Sequence, residues 1–269
     1  MSDAVEKNPW SGLKAFTNAR IALGRAGNAL PTAPLLAFNL SHAQARDAVH
    51  QPLDADALRR ELEAAGFATL GASSAAPDRQ HYLRRPDLGR RLSDESRAAL
   101  AQAGSDDNEK PDVVFVVGDG LSAFAAAKQA LPLLNAMRAR LDADRDAARG
   151  WRIGPVVVAS QARVALGDEI GELLGAKLVA MLIGERPGLS SPDSLGVYLT
   201  WAPKVGCHDA QRNCISNVRP EGLPHEAAAH KLHYLMTHAR RLQLTGVGLK
   251  DDSDALLPEA DEAGRIESA

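Results

Sequence analysis

Leu178-Val179-Ala180-Met181-Leu182-Ile183, followed by Gly184-Glu185-Arg186-Pro187-Gly188-Leu189-Ser190-Ser191-Pro192-Asp193-Ser194-Leu195-Gly196, is the stretch that decides the fold. An unbroken apolar run of this length, ended by Gly and Pro, reads as a strand buried on both faces. In open parallel sheets the loops leaving the carboxyl ends of such strands form the ligand crevice. Glu185 therefore falls at a crevice, on a loop stiffened by Pro187 and Pro192 and turned sharply at Gly184 and Gly188.

Working outward, Val113 to Val117, Pro155 to Ala159 and Val197 to Trp201 read as further strands. Ser122 to Arg140, Asp168 to Leu174 and Pro224 to Leu244 read as helices, the last with Pro at its start and Gly246 after its end. This alternation predicts an α/β fold with a doubly wound, mostly parallel sheet of Rossmann or flavodoxin-like type and helices on both faces. Residues 1 to 110 show helical patches and no convincing strand: Leu53 to Ala65 is an amphipathic helix stopped at Gly66, and Ser93 to Ala103 is another, entered through Ser93. Polar Ser105 to Pro111 reads as a linker. The expected organisation is a small helical N-terminal domain over 1–110, an α/β domain over 111–250, and an acidic, disordered tail over 251–269, with seven acids against one Arg.

A chain of 269 residues with 45% apolar residues supports a substantial core. With 4% aromatic residues and a net charge of -3, nucleic acid is an unsuitable partner. Cys207 and Cys214 match neither a zinc site nor a secreted disulfide framework. There is no signal-peptide pattern at the start and no run of membrane-spanning length, so the expectation is a soluble, cytoplasmic protein without membrane contact.

Several motifs carry chemistry, each with a plain structural alternative. Gly118-Asp119-Gly120-Leu121-Ser122-Ala123 fits G-x-G-x-x-A between a strand and a helix, where backbone amides can hold a phosphate. The acid expected at the end of the second strand of a dinucleotide fold is missing, which favours a tight packing turn or the wall of a crevice for another large cofactor. The arginines of Tyr82-Leu83-Arg84-Arg85-Pro86-Asp87-Leu88-Gly89-Arg90-Arg91-Leu92 suit phosphate or a subunit contact, against a solvated face. His230, His233 and His238 on the last helix lack the carboxylate of a metalloprotease pattern and read as surface residues. Neither G-x-S-x-G nor a P-loop occurs. On spacing alone Glu185 reads as a capped strand end and Cys214 as a buried apolar thiol.

Taken together, Gly184 to Gly196, Arg212-Asn213-Cys214-Ile215-Ser216-Asn217, Tyr82 to Leu92, Asp119 to Ala123, Ala19 to Gly27 and Gly167 to Lys177 resemble, in the family's order, the small (light) subunit of ethanolamine ammonia-lyase. The resemblance implies a heteromeric, adenosylcobalamin-dependent carbon–nitrogen lyase that converts ethanolamine to acetaldehyde and ammonia by a radical route. A large TIM-barrel subunit would hold the substrate, and this chain would cover the cobalamin, supplying no catalytic residue and no metal ligand. It carries cofactor-binding roles onto Val164, Glu185 and Cys214, all expected to follow strands on one edge of the sheet. Absence of a D-x-H-x-x-G segment implies base-on binding. Trp10 lies close to Met1, whereas members sent to bacterial microcompartments can carry longer extensions, and this leaves encapsulation open beside a cytoplasmic location. A stand-alone nucleotide-binding α/β protein and a non-catalytic adaptor are the alternatives.

Overall fold

A computed structural model describes residues 5–106, 110–144 and 150–256. The chain opens with a 3-10 segment, Pro9–Phe16, and helix α1 (Thr32–His50), in which Ala48 alone is buried. Helix α2 (Ala55–Ala64) starts where Asp54 accepts the amide of Ala57 at 2.9 Å, and the chain turns away through Gly66 at φ +85°. Strand β1 (Thr69–Ser73), helix α3 (Arg79–Arg84) and helix α4 (Asp94–Asp106) follow. Then come β2 (Val113–Gly118), α5 (Ala123–Ala143), β3 (Val156–Ser160), α6 (Leu166–Leu173) and β4 (Leu178–Gly184). The series closes with β5 (Leu195–Trp201), β6 (Arg212–Val218) and α7 (His225–Leu242), which ends on Gln243 in the left-handed region.

The six strands form one sheet in the order β1-β3-β2-β4-β5-β6. Pairing is parallel from β1 to β4 and antiparallel across β4–β5 and β5–β6. The sheet is therefore mixed, which corrects the expectation of a mostly parallel, doubly wound sheet. The reason is the Glu185–Ser194 connection: a parallel return needs a crossover, usually a helix, and this segment contains none, so β5 comes back beside β4 in the opposite sense.

Two further expectations are corrected. Residues 1 to 110 do contain a strand, since β1 pairs with β3 from Thr69–Val156 to Ser73–Ser160. Its Leu-Gly-Ala-Ser sequence has almost none of the β-branched and aromatic residues that announce a strand. The tail, expected to be disordered from Asp251 on, begins with a packed turn: Ser253 is fully buried and Lys231 of α7 pairs with Asp254 at 2.6 Å. A lysine facing two acids anchors that turn, while residues 257–269, and residues 107–109 of the expected linker, lie outside the described residues.

Helices cover both faces of the sheet. On one, α2, α5 and α7 pack on Val113, Phe115, Leu178, Ala180, Leu182 and Val197. On the other, Leu100 of α4 and Leu166 and Ile170 of α6 pack on Val114, Val116, Val179 and Met181. This second layer stops short of the last two strands. Tyr198 of β5 is half-buried, and Cys214, its register partner on β6, is exposed, so a strip of sheet stays open beside α6.

Candidate functional site

The open strip meets the carboxyl ends of β2, β3 and β4, and the turns there are held by side chains rather than by regular structure. Asp119, 1% exposed, accepts the amides of Ala162 at 2.8 Å and Gln161 at 3.0 Å and the Arg79 guanidinium at 3.1 Å. Burial pushes its carboxyl upward, opposed by Arg79 and those amides. Gln161 stands at φ +56°, a conformation these bonds hold in place.

The G-x-G-x-x-A turn is filled from within. The amide of Leu121 donates to Gly184 O at 2.9 Å, and the Ser122 hydroxyl accepts from Ala125 N at 3.1 Å while donating to Pro192 O at 2.7 Å. A Cβ on Gly120, at φ +53°, would come 2.2 Å from the Gly184 carbonyl oxygen. Donors that would meet a phosphate are thus spent on the β4 loop, and the motif serves as a close-packing turn that forms the crevice wall.

Val164 sits on the β3–α6 loop, whose path is set by the arginine loop. Arg163 N donates to Gly89 O at 2.8 Å, the Arg163 guanidinium stacks 4.4 Å from the centre of the Tyr82 ring, and Tyr82 Oη donates to Ala162 O at 3.0 Å. A side chain at Gly89 would strike Arg163 and Tyr82, each 2.9 Å from an ideal Cβ. Of the other arginines, Arg85 turns to Asp87 (2.7 Å), and Arg91 (3.1 Å) and Arg97 (2.9 Å) share Glu169. Burial opposes ionisation of Glu169, but the hydrogen bonds from Arg91, the Leu92 amide and Arg97 outweigh it and hold the carboxyl down to about 2.

Glu185 ties three strands. Its carboxylate accepts from Ser216 Oγ at 2.5 Å, from Asn217 N at 3.1 Å and from the Ser194 hydroxyl. It lies across Gly196, where an ideal Cβ would be 3.0 Å from Glu185 Oε1. Three donors on a group with about four acceptor sites leave about one free, on Oε1.

Cys214 lies within β6, not after a strand as expected, and it is exposed rather than a buried apolar thiol. It stands opposite Tyr198 in the β5–β6 register. Burial, then the neighbouring Cys214 and Glu185, push the Tyr198 phenol up to about 12. Strand β6 is invisible to periodicity because its burial recurs at Arg212, Ile215 and Val218 instead of alternating. A bulge opposite Leu195–Val197, with Asn217 at φ +61°, inserts the extra residue.

Two cavities adjoin here. One, of about 470 Å³, is lined by Tyr82, Gly120, Leu121, Val164, Glu185 and Tyr198. The second, also about 470 Å³, includes Arg90, Arg163, Val164, His208 and Arg212, so the two share Arg163 and Val164. Val164 and Glu185 thus face one cleft, and Cys214 borders it through Tyr198. Sequence reasoning missed Tyr198, Ser194, Ser216 and Asn217, although the last two stand in the same quoted segment as Cys214. His230, His233 and His238 of α7 are elsewhere: His230 meets Ser253 O at 3.2 Å, His233 meets Asp144 at 3.0 Å and His238 meets Tyr234 O at 2.8 Å, and all three are half-buried and hydrogen-bonded rather than free surface residues. Among the described residues no group of three or more His, Cys, Asp or Glu is placed to hold a metal ion, and no helix is long and apolar enough to cross a membrane.

The family described as Ethanolamine ammonia-lyase light chain (EutC) matches residues 7–250. The chain belongs to this family. It is similar to proteins named ethanolamine ammonia-lyase small subunit from Ralstonia nicotianae, 55% identical over 95% of this chain and 93% of the relative, and from Azotobacter vinelandii, 55% identical over 94% and 93%. The Pseudomonas aeruginosa protein of that name is 53% identical over 99% of this chain and 96% of its own length. Membership makes the chain a lyase subunit, and the matched span takes in every turn of the cleft.

Proposed function

We propose that this chain is the subunit of ethanolamine ammonia-lyase that covers adenosylcobalamin, bound base-on, while a large subunit holds ethanolamine. The observation that supports this reading is the shared cleft of Val164 and Glu185 with Cys214 at its edge. Its residues fit a flat macrocycle rimmed with primary amides. Leu121, Val164 and Tyr198 offer an apolar wall, and the remaining acceptor site on Glu185 Oε1 suits an amide N–H. Cys214 is small enough to permit close approach over the open strip.

When bound, the cofactor supplies the radical chemistry that turns ethanolamine into acetaldehyde and ammonia. This chain's residues orient it and exclude water from one side. Contact with the large subunit is assigned to residues up to 110, supported by exposed apolar side chains on the N-terminal segment: Trp10 is 67% exposed, Phe16 83%, Leu36 60% and Leu40 60%. A soluble assembly working in the cytoplasm is part of the proposal, whether or not a microcompartment encloses it.

The test is to co-express the chain with a large subunit and titrate the purified complex with adenosylcobalamin, reading absorption and ammonia release. Saturable spectral change and turnover that both require this chain are expected. Equal cofactor affinity and turnover without it would overturn the proposal.

A further inference from the structure

The cleft is electrically lopsided. At one end stands the Glu185 carboxylate with the exposed Arg186 next to it in sequence; at the other are Arg90, Arg91 and Arg212, and Arg163 lines the cavities at both ends. Two of these are neutralised within the protein, Arg91 by Glu169 at 3.1 Å and Arg212 by Asp168 at 2.5 Å. The other two are not: among the described residues neither Arg90 nor Arg163 makes an ion pair, and Arg163 Nε is buried without a hydrogen-bond partner. The acid in that cavity, Asp209, is fully exposed and lies 3.5 Å from Arg212 Nε. Arg163 is also prevented from swinging out to solvent, because it stacks on Tyr82 and donates to Tyr82 O at 3.3 Å. Its backbone is pinned to the same loop that carries Arg90 by the Arg163 N to Gly89 O bond of 2.8 Å.

Two arginines that line one cavity without a carboxylate partner suit an anion between them, and planar forks are matched to phosphate oxygens. Cobalamin carries a single anionic group, the phosphodiester of its nucleotide loop, on a ring otherwise edged with neutral amides. We infer that Arg90 and Arg163 form a phosphodiester subsite, with the nucleotide loop directed to the arginine end of the cleft and the corrin rim to the Glu185 end. This rests on the cobalamin proposal. The same orientation keeps the anion away from the Glu185 carboxylate.

The experiment compares adenosylcobinamide, which lacks the phosphate, with adenosylcobinamide phosphate on the assembled two-subunit complex, by absorption titration. In the unaltered complex the phosphate-bearing form binds about tenfold more tightly, with the difference shrinking as salt rises. Arg90→Gln combined with Arg163→Met abolishes that difference while leaving adenosylcobinamide affinity unchanged. Arg90→Gln alone, at an exposed position, reduces the difference in case the double variant folds poorly. Inorganic phosphate probes the pair without any corrin: the unaltered complex broadens its phosphorus resonance, and Arg90→Gln removes the broadening. Corrinoid binding with no preference for the phosphate, or a preference that survives both substitutions, overturns the subsite and leaves the cobalamin proposal standing. Phosphate broadening that depends on Arg90, with no corrinoid bound, keeps an anion site and overturns the cobalamin proposal instead.

Discussion

Glu185 at the end of β4 and Ser216 on β6 are joined by a 2.5 Å hydrogen bond across the intervening strand β5. One carboxylate thereby fixes the relative position of three chain segments around the cleft, with Ser194 and the Asn217 amide as its other donors.

Glu185→Ala is expected to cost about 1–3 kcal/mol of stability, because three donors lose a shared acceptor but water reaches the half-buried site. Cobalamin affinity of the complex should fall about tenfold, the equivalent of one hydrogen bond. Urea unfolding and absorption titration measure the two effects separately. A stability loss with unchanged affinity would make Glu185 a strand tie and nothing more.

Cys214→Trp separates binding from folding in the opposite way. The residue is exposed on an edge strand, so the unfolding free energy should stay within about 0.5 kcal/mol of the unaltered chain. A bulky ring on the open strip should nevertheless obstruct the cofactor and weaken its binding by more than about tenfold. Unchanged cofactor affinity would remove Cys214 from the site.

Asp119→Ala leaves two amides and the Arg79 guanidinium, whose side chain is 10% exposed, without their acceptor. Loss of one partner of a buried pair costs about 3–5 kcal/mol. Hydrogen exchange over residues 160–166 should rise in the cofactor-free complex, with Asp119→Asn intermediate because it keeps one acceptor. Unaltered exchange there would mean that Gln161 and Val164 are positioned by something else.

Glu169 sets an acid limit on the same region. Its folded carboxyl is depressed to about 2 against an ordinary 4.5, so the stabilisation, on the order of 3 kcal/mol, is fully present above about pH 4.5. It declines as pH falls from there toward 2, as the unfolded chain takes up the proton first. Glu169→Gln should therefore lower the unfolding midpoint of the full chain at pH 7 and progressively less between pH 4.5 and 2. A pH-independent difference would rule out the charge as the source.

Much of the fold is legible in residue order. Val113 to Val117, Pro155 to Ala159 and Leu178 to Ile183 are apolar on both faces and appear as β2, β3 and β4, and the long helices α5 and α7 follow their predicted segments within a few residues. Helix α1 is less legible because its apolar side chains, Leu36 and Leu40 among them, are exposed and form no one-sided stripe against this chain's core. Around the cleft, the individual segments bearing Val164, Glu185 and Cys214 can be recognised, but not the bonds that bring them together. Ser216 and Asn217 reach Glu185 only because a bulge turns β6 at that point.

The amino-acid order by itself determined which segments are buried on both faces, where the helices α5, α6 and α7 start, and that turns rich in Gly and Pro would lie at strand ends; these are local consequences of side-chain size, polarity and backbone freedom. Tertiary structure alone decided that β5 and β6 run antiparallel, that among the described residues no helix roofs their outer strip, and that Arg163 and Arg90 line one cavity without a carboxylate partner. Each of those depends on hydrogen bonds and charges between residues far apart in sequence, whose free energy exists only once the chain has closed on itself.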